Sequence, residues 1–134
     1  MCNIKSFLTP EECKIVWDSG FKIKDPQLWW VRKLFYPISS DYYEDTPWEI
    51  LTKKQMNEMT IEVGQAVDRI PAMGIPELLY FFRYEEISII PIDGGKKYRV
   101  SIYGREDMGF ESDQIIDALY DMFYEYIDIL NLQN

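Results

Sequence analysis

The stretch ISIIPIDGGKKYRVSIYG, residues 87–104, sets two apolar, β-branched runs on either side of Asp93-Gly94-Gly95. Val, Ile and Tyr suit a pleated, half-buried surface, and Asp-Gly and Gly-Gly supply the positive φ angles that tight hairpin turns demand. The stretch therefore predicts a β-hairpin turning at Asp93 to Gly95, with Tyr98, Val100 and Ile102 on one face of its second strand by the period of two. Pro91 has no N–H to give to a ladder, so the first strand is expected at a sheet edge or bulged near its end.

Downstream of the hairpin, SDQIIDALYDMFYEYIDIL (residues 112–130) has apolar residues at alternating steps of three and four, the signature of an amphipathic helix. It predicts a helix from about Asp113 to Leu130 with Ser112 as its N-cap. Ile116, Leu119, Tyr120, Phe123, Ile127 and Leu130 form the main apolar stripe. Ile115, Met122, Tyr126 and Ile129 form a second flank, wider than one core contact needs, and are the candidate face for a homodimer. Asp113, Asp117, Asp121 and Glu125 recur every four residues, and Asp128 continues the side after a step of three. Like charges so spaced cost an isolated helix about 0.2–0.5 kcal/mol per pair. A solvated face satisfies that pattern, and a surface for a basic partner, or a partial mimic of DNA phosphates, is the sharper expectation.

Upstream, Thr9-Pro10-Glu11-Glu12 places a hydroxyl at an N-cap, a proline at the first helical position and a carboxylate that closes a capping box. The helix so begun should turn Ile15 and Val16 inward and stop at Gly20. LWWVRKLFY predicts a strand over residues 28–36, with Trp30, Arg32, Leu34 and Tyr36 on one face and Trp29, Val31, Lys33 and Phe35 on the other. ISSDYYEDTP combines turn formers with acids and reads as a loop. Thr46-Pro47-Trp48-Glu49 repeats the capping logic, and Met56, Met59, Val63, Val67 and Ile70 have helical spacing, so residues 47–69 are expected as a helix interrupted at Gly64. After the turn PAMG, residues 76–84 fit a short helix or a buried strand equally.

A length of 134 residues at 47% hydrophobic and 16% aromatic suits one domain, residues 1–134, with its own core. The expected fold is α+β: a small, mainly antiparallel sheet holding residues 28–36 and the 87–103 hairpin, packed by N-terminal, central and C-terminal helices. Aromatic side chains bury large areas, so at least Trp30, Leu34 and Tyr36, or else their opposite-face neighbours, are expected in the core. Trp29, with Tyr42 and Tyr43 of the loop, remains a candidate for recognition.

The formal net charge is −9, and residues 106–134 hold eight acids and no Lys or Arg. That balance argues against direct nucleic-acid or anionic-membrane binding, whose affinity comes mostly from Lys and Arg. With no signal-peptide pattern and no long apolar run, and with Cys2 and Cys13 in no paired arrangement, a soluble cytoplasmic protein with reduced thiols is expected.

The opening TPEECKIVWDSGF (residues 9–21), the middle IPELLYFFR (75–83), the hairpin and the closing GFESDQIIDALYDMFYEYI (109–127) resemble a loose family of small bacterial proteins from phage and mobile-element gene neighbourhoods. The sequence departs from that pattern at ILTKKQMNEMTIEVGQAVD (50–68). The resemblance implies a phage or prophage accessory setting and carries no catalytic residue, cofactor or activity.

With no histidine in the chain, the usual general base and commonest metal ligand are missing. Asp41, Glu44, Asp45 and Glu49 lack the spacing and glycine of a calcium loop. Asp93-Gly94-Gly95-Lys96-Lys97 leads from strand to strand, unlike a phosphate loop. Cys13 lies beside Glu11 and Glu12, whose charges oppose a thiolate, and is expected as a partly buried, inert thiol. No catalytic residue, cofactor or metal is expected. The functional expectation is a non-enzymatic interaction protein with a protein partner; an oligomeric structural accessory comes second and a small carboxylate-dependent enzyme third.

Overall fold

The computed structural model describes residues 4–35, 46–60 and 65–133. Cys2, Tyr36, Asp41, Tyr42, Tyr43, Glu44, Asp45, Val63 and Gly64 lie outside the described residues. The chain groups into two compact units, an N-terminal one of Thr9–Ala72 and a C-terminal one of Met1–Leu8 with Met73–Asn134.

The N-terminal unit opens with α1, Pro10–Asp18, under the expected capping box: Glu12 N–H donates to Thr9 Oγ1 at 3.2 Å and Thr9 N–H to Glu12 Oε1 at 2.9 Å. Such a cap contributes about 1 kcal/mol. Cys13 and Val16 are fully buried, whereas Ile15, expected inward, is 44% exposed. The step from Cys13 to Val16 sets the inward line, and Ile15 falls beside it.

Strand β1, Leu28–Phe35, lies between β2, Glu49–Thr52, and β3, Gln65–Pro71, both antiparallel to it. Residues 47–69 are thus not the expected helix. Thr46, expected as a helix cap, instead clips β1: its hydroxyl accepts Lys33 N–H at 2.7 Å and its own N–H donates to the Lys33 carbonyl at 3.0 Å. The cap sits six residues later, where Thr52 and Gln55 form the box that starts the short α2, Lys53–Asn57. Pairing to β1 outweighs the helical spacing of Met56, Val67 and Ile70, because each ladder residue gains backbone bonds and a cross-strand neighbour.

In the C-terminal unit, α3 is Ile75–Phe81, so the ambiguous 76–84 segment is helical as far as Phe81 and turns over residues 82–84. Pro76 takes a first-turn position, and Glu77 accepts the Gly74 N–H at 2.9 Å. Gly74 bridges to Phe7, and a Cβ there would stand 2.8 Å from the Ser6 carbonyl oxygen; only glycine admits that approach. The hairpin forms as expected from β4, Ile87–Ile92, and β5, Lys97–Ile102, joined by one 3-10 turn at Asp93–Gly95. Asp93, Gly94 and Gly95 all have positive φ, at 52°, 65° and 86°. A third strand, β6, Arg105–Ser112, pairs with β5 after a register shift at Ser101/Ile102. Helix α4, Ile115–Gln133, packs on β5, β6 and α3.

The molecule is therefore α+β, but with two three-stranded antiparallel sheets among the described residues instead of one. The physical reason is that β1 already has a partner on each side, so it has no edge left for the hairpin, which recruits β6. Among the described residues no helix is long and apolar enough to cross a membrane.

Candidate functional site

Helix α4 is started by Gln114, whose carbonyl accepts the Asp117 and Ala118 N–H groups at 3.2 Å each. Ser112, expected as the N-cap, belongs to β6, and its hydroxyl accepts the Gln114 N–H at 3.1 Å. The apolar side of α4 is wide, and its own chain covers much of it. Ile116, Ala118, Leu119, Met122 and Phe123 are fully buried. Phe81 of α3 meets Phe123 edge to face at 4.6 Å and Tyr126 at 5.8 Å, and Phe82 meets Tyr126 at 5.5 Å. The candidate dimer flank is accordingly corrected for two of its members: Met122 is inside the chain, and Tyr126 lies within the α3 ring cluster. Once α3 forms, Phe81 at its end and Phe82 just after it pack on Tyr126. Ile115 lines a recess of about 230 Å³ with Ile4 and Ile75, and Ile129 is half-buried.

Tyr126 O–H also donates to Glu85 Oε1 at 3.3 Å. Burial first, and then the neighbouring Glu85 carboxylate, push its hydroxyl above the ordinary value; Arg105, over the ring at 5.8 Å, pulls the other way.

The acidic stripe divides. Asp117 forms an ion pair with Lys5 Nζ at 2.6 Å, and Asp113 is exposed ahead of the first turn beside the Ile4–Ile75–Ile115 recess. Farther along, Asp121, Glu125 and Asp128 are exposed, together with Tyr124, which is 55% exposed. Phe110 of β6, Tyr120, Asp121, Tyr124 and Glu125 line a shallow recess of about 400 Å³, with the Tyr120 and Tyr124 rings 6.4 Å apart. Acids are thereby set beside the exposed Tyr124 ring and the half-buried Phe110 and Tyr120. Carboxylates bind a cationic head by charge, and a tyrosine face attracts it through the ring quadrupole. The four-residue spacing places the acids; the apolar periodicity puts Tyr120 on the packed stripe and does not mark Tyr124, and Phe110 reaches the recess only because β6 forms.

The N-terminal unit holds a second concavity, of about 390 Å³, against the outer side of α1 and the sheet, where Arg32, Trp48 and Asp68 meet. Arg32 stacks over Trp48 at 4.5 Å and bonds Asp68 Oδ2 through Nε at 3.3 Å and Nη2 at 3.2 Å. Its other charges include Glu11, Lys14, Asp18 and Arg69, so it favours neither sign of ligand. Trp29, the recognition candidate among the described residues, is half-buried under Arg69 at 5.4 Å, with its indole N–H enclosed and lacking an acceptor among the described residues. Tyr42 and Tyr43 lie outside the described residues.

Among the described residues no group of three or more Cys, Asp or Glu is arranged to hold a metal ion. No family model, curated protein or solved structure matches the chain.

Proposed function

We propose that this is a non-enzymatic interaction protein, acting in the cytoplasm as a phage or mobile-element accessory, that presents the outer face of α4 to a basic segment of a protein partner. The observation that carries the reading is the exposure of Tyr124 and Glu125 in the Phe110–Tyr120 recess, with Asp128 exposed about one turn farther along α4. A lysine or arginine there gains both an ion pair and a ring contact, each worth about 0.5–1 kcal/mol at an exposed site. Aromatic anchors within a charged rim are also what distinguishes an interface from a merely solvated helix face. The −9 net charge supports the same sign of partner by steering it at long range.

The test is fluorescence titration of the full chain with a labelled oligoarginine peptide, with oligoglutamate as control. Salt-dependent binding of oligoarginine alone is expected, weakened about fivefold by Tyr124→Ala and about as much by Glu125→Gln with Asp128→Asn. Equal affinity in all three proteins would place the binding elsewhere and overturn the reading.

A further inference from the structure

The recess of about 230 Å³ at the start of α4 is assembled from parts of the C-terminal unit that are distant in sequence. Lys5 holds the N-terminal segment there: its N–H donates to Gln114 Oε1 at 2.9 Å and its ammonium pairs with Asp117. Ile4 is thereby brought to the rim. Ile75 is the first residue of α3, Tyr98 belongs to β5, and Ile115 is the first residue of α4. Ile75, Tyr98 and Ile115 are half-buried, and Ile4 is 82% exposed. Water is left against this apolar surface, so an apolar group that displaces it is favoured.

Two opposite charges border the same recess. The Asp93–Gly95 turn sets Lys96 just ahead of β5, with its N–H closing on the Asp93 carbonyl at 3.2 Å. Asp113 follows the last residue of β6. The register Tyr98↔Ser112 puts both at the same end of the β5–β6 ladder, because antiparallel partners run in opposite senses from that pair. Both are exposed. Yet they form no ion pair with each other. Among the described residues the Lys96 ammonium has no partner, and the Asp113 carboxylate has only the Ser112 hydroxyl, at 3.4 Å. Lys5 and Asp117 neutralise each other at 2.6 Å, so what stays open at the recess is one cation and one anion.

We infer that this recess binds a free aliphatic α-amino acid such as leucine, with its ammonium on Asp113, its carboxylate on Lys96 and its side chain against Ile4, Ile75, Tyr98 and Ile115. A ligand of one sign meets one attractive and one repulsive charge there, whereas a zwitterion meets two attractive ones. An α-amino acid carries both groups on one carbon, which suits two charges gathered at one end of a ladder. Size narrows the class. Drug-sized ligands need pockets of about 300–1,000 Å³, and a recess of about 230 Å³ admits a smaller molecule. The apolar lining selects a hydrocarbon side chain, because a hydroxyl or amide against it would lose water without gaining a partner. None of these residues belongs to the recess around Tyr124, so the inference stands independently of the proposed function.

Amide NMR of the full chain titrated with L-leucine tests it. Saturable shifts at Lys96, Tyr98, Asp113 and Ile115 are expected. L-leucinamide and isocaproate, which each lack one of the two charges, should bind more weakly, by about threefold or more. Lys96→Gln and Asp113→Asn should each weaken leucine by about threefold, with the thermal melt retained because both side chains are exposed. The analogue comparison uses the unaltered chain and so holds even where a variant fails to fold. No shift at these four residues up to the solubility limit of leucine would overturn the inference. So would equal binding of the two single-charge analogues, or a leucine affinity that neither substitution changes.

Discussion

The two units build sheets of the same size and the same antiparallel pairing, yet they are held in different ways. Among the described residues, the buried apolar set has Cys13, Val16, Val31 and Ala72 in the N-terminal unit and the other eleven in the C-terminal unit. There the 19-residue α4 lays a broad apolar side on β5, β6 and α3. The N-terminal unit, with a nine-residue α1, relies more on cations over indoles: Lys22 on Trp17, Arg32 on Trp48 and Arg69 on Trp29. Burial contributes about 1.5–3 kcal/mol for each large apolar side chain, against about 0.5–1 kcal/mol for an exposed cation–π contact. Aromatic content is therefore a poor guide to where a core sits; continuity of apolar contact decides it.

The comparison would break if core truncation were cheap in the C-terminal unit. Phe123→Ala should cost about 3–5 kcal/mol in urea denaturation, through lost transfer energy and the cavity left against Phe81; under about 1 kcal/mol would mean that α4 does not organise this core. Smaller and of a different kind is the expected loss in the N-terminal unit. Arg32→Ala should cost about 1 kcal/mol, because the Asp68 pair is partly exposed and screened. Added salt should narrow the gap between wild type and variant through the ion-pair part alone, and Arg32→Lys should recover charge without the planar stack. Tryptophan fluorescence against urea follows the N-terminal change, because Trp17, Trp29, Trp30 and Trp48 all lie in that unit, and helical circular dichroism follows the C-terminal one.

The smallest effect concerns Tyr126. Its hydroxyl is raised above the ordinary value of 10.0 by burial and by Glu85, so the folded state favours the neutral form. That contribution is fully present below the unfolded value and is lost as pH rises toward and through the folded one. Tyr126→Phe should therefore melt with a shallower decline above about pH 10 than wild type. An identical alkaline decline would place the ring cluster's proton linkage elsewhere.

Much of the C-terminal unit was legible because its signals are local. Asp93-Gly94-Gly95 can satisfy its φ angles in few ways, and the spacing of Ile116, Leu119 and Phe123 admits one helix face. In the N-terminal unit, local signals compete with a distant partner and lose. Met56, Val67 and Ile70 share helical spacing, and Thr46 looks like a cap, but Lys33 takes the Thr46 hydroxyl and β1 takes both flanking strands. For the candidate site, the carboxylates of α4 could be placed on one side by counting. The pairing of Asp117 with Lys5, 112 residues apart, could not, and neither could the arrival of Phe110 beside Tyr124.

The sequence alone determined the α+β class, the turn at Asp93 to Gly95, the Thr9 cap, the edge position of β4 implied by Pro91 and the amphipathic character of α4. Each follows from steric or periodic constraints within a few residues. Only the tertiary structure decided that β1 is saturated by β2 and β3, so that two sheets form among the described residues instead of one, that Phe81 and Phe82 pack on Tyr126, and that Met122 is buried. It also decided which acids of α4 stay open. Those outcomes depend on competition among partners far apart in the chain, and such competition is settled by which arrangement buries the most apolar surface while pairing every backbone group.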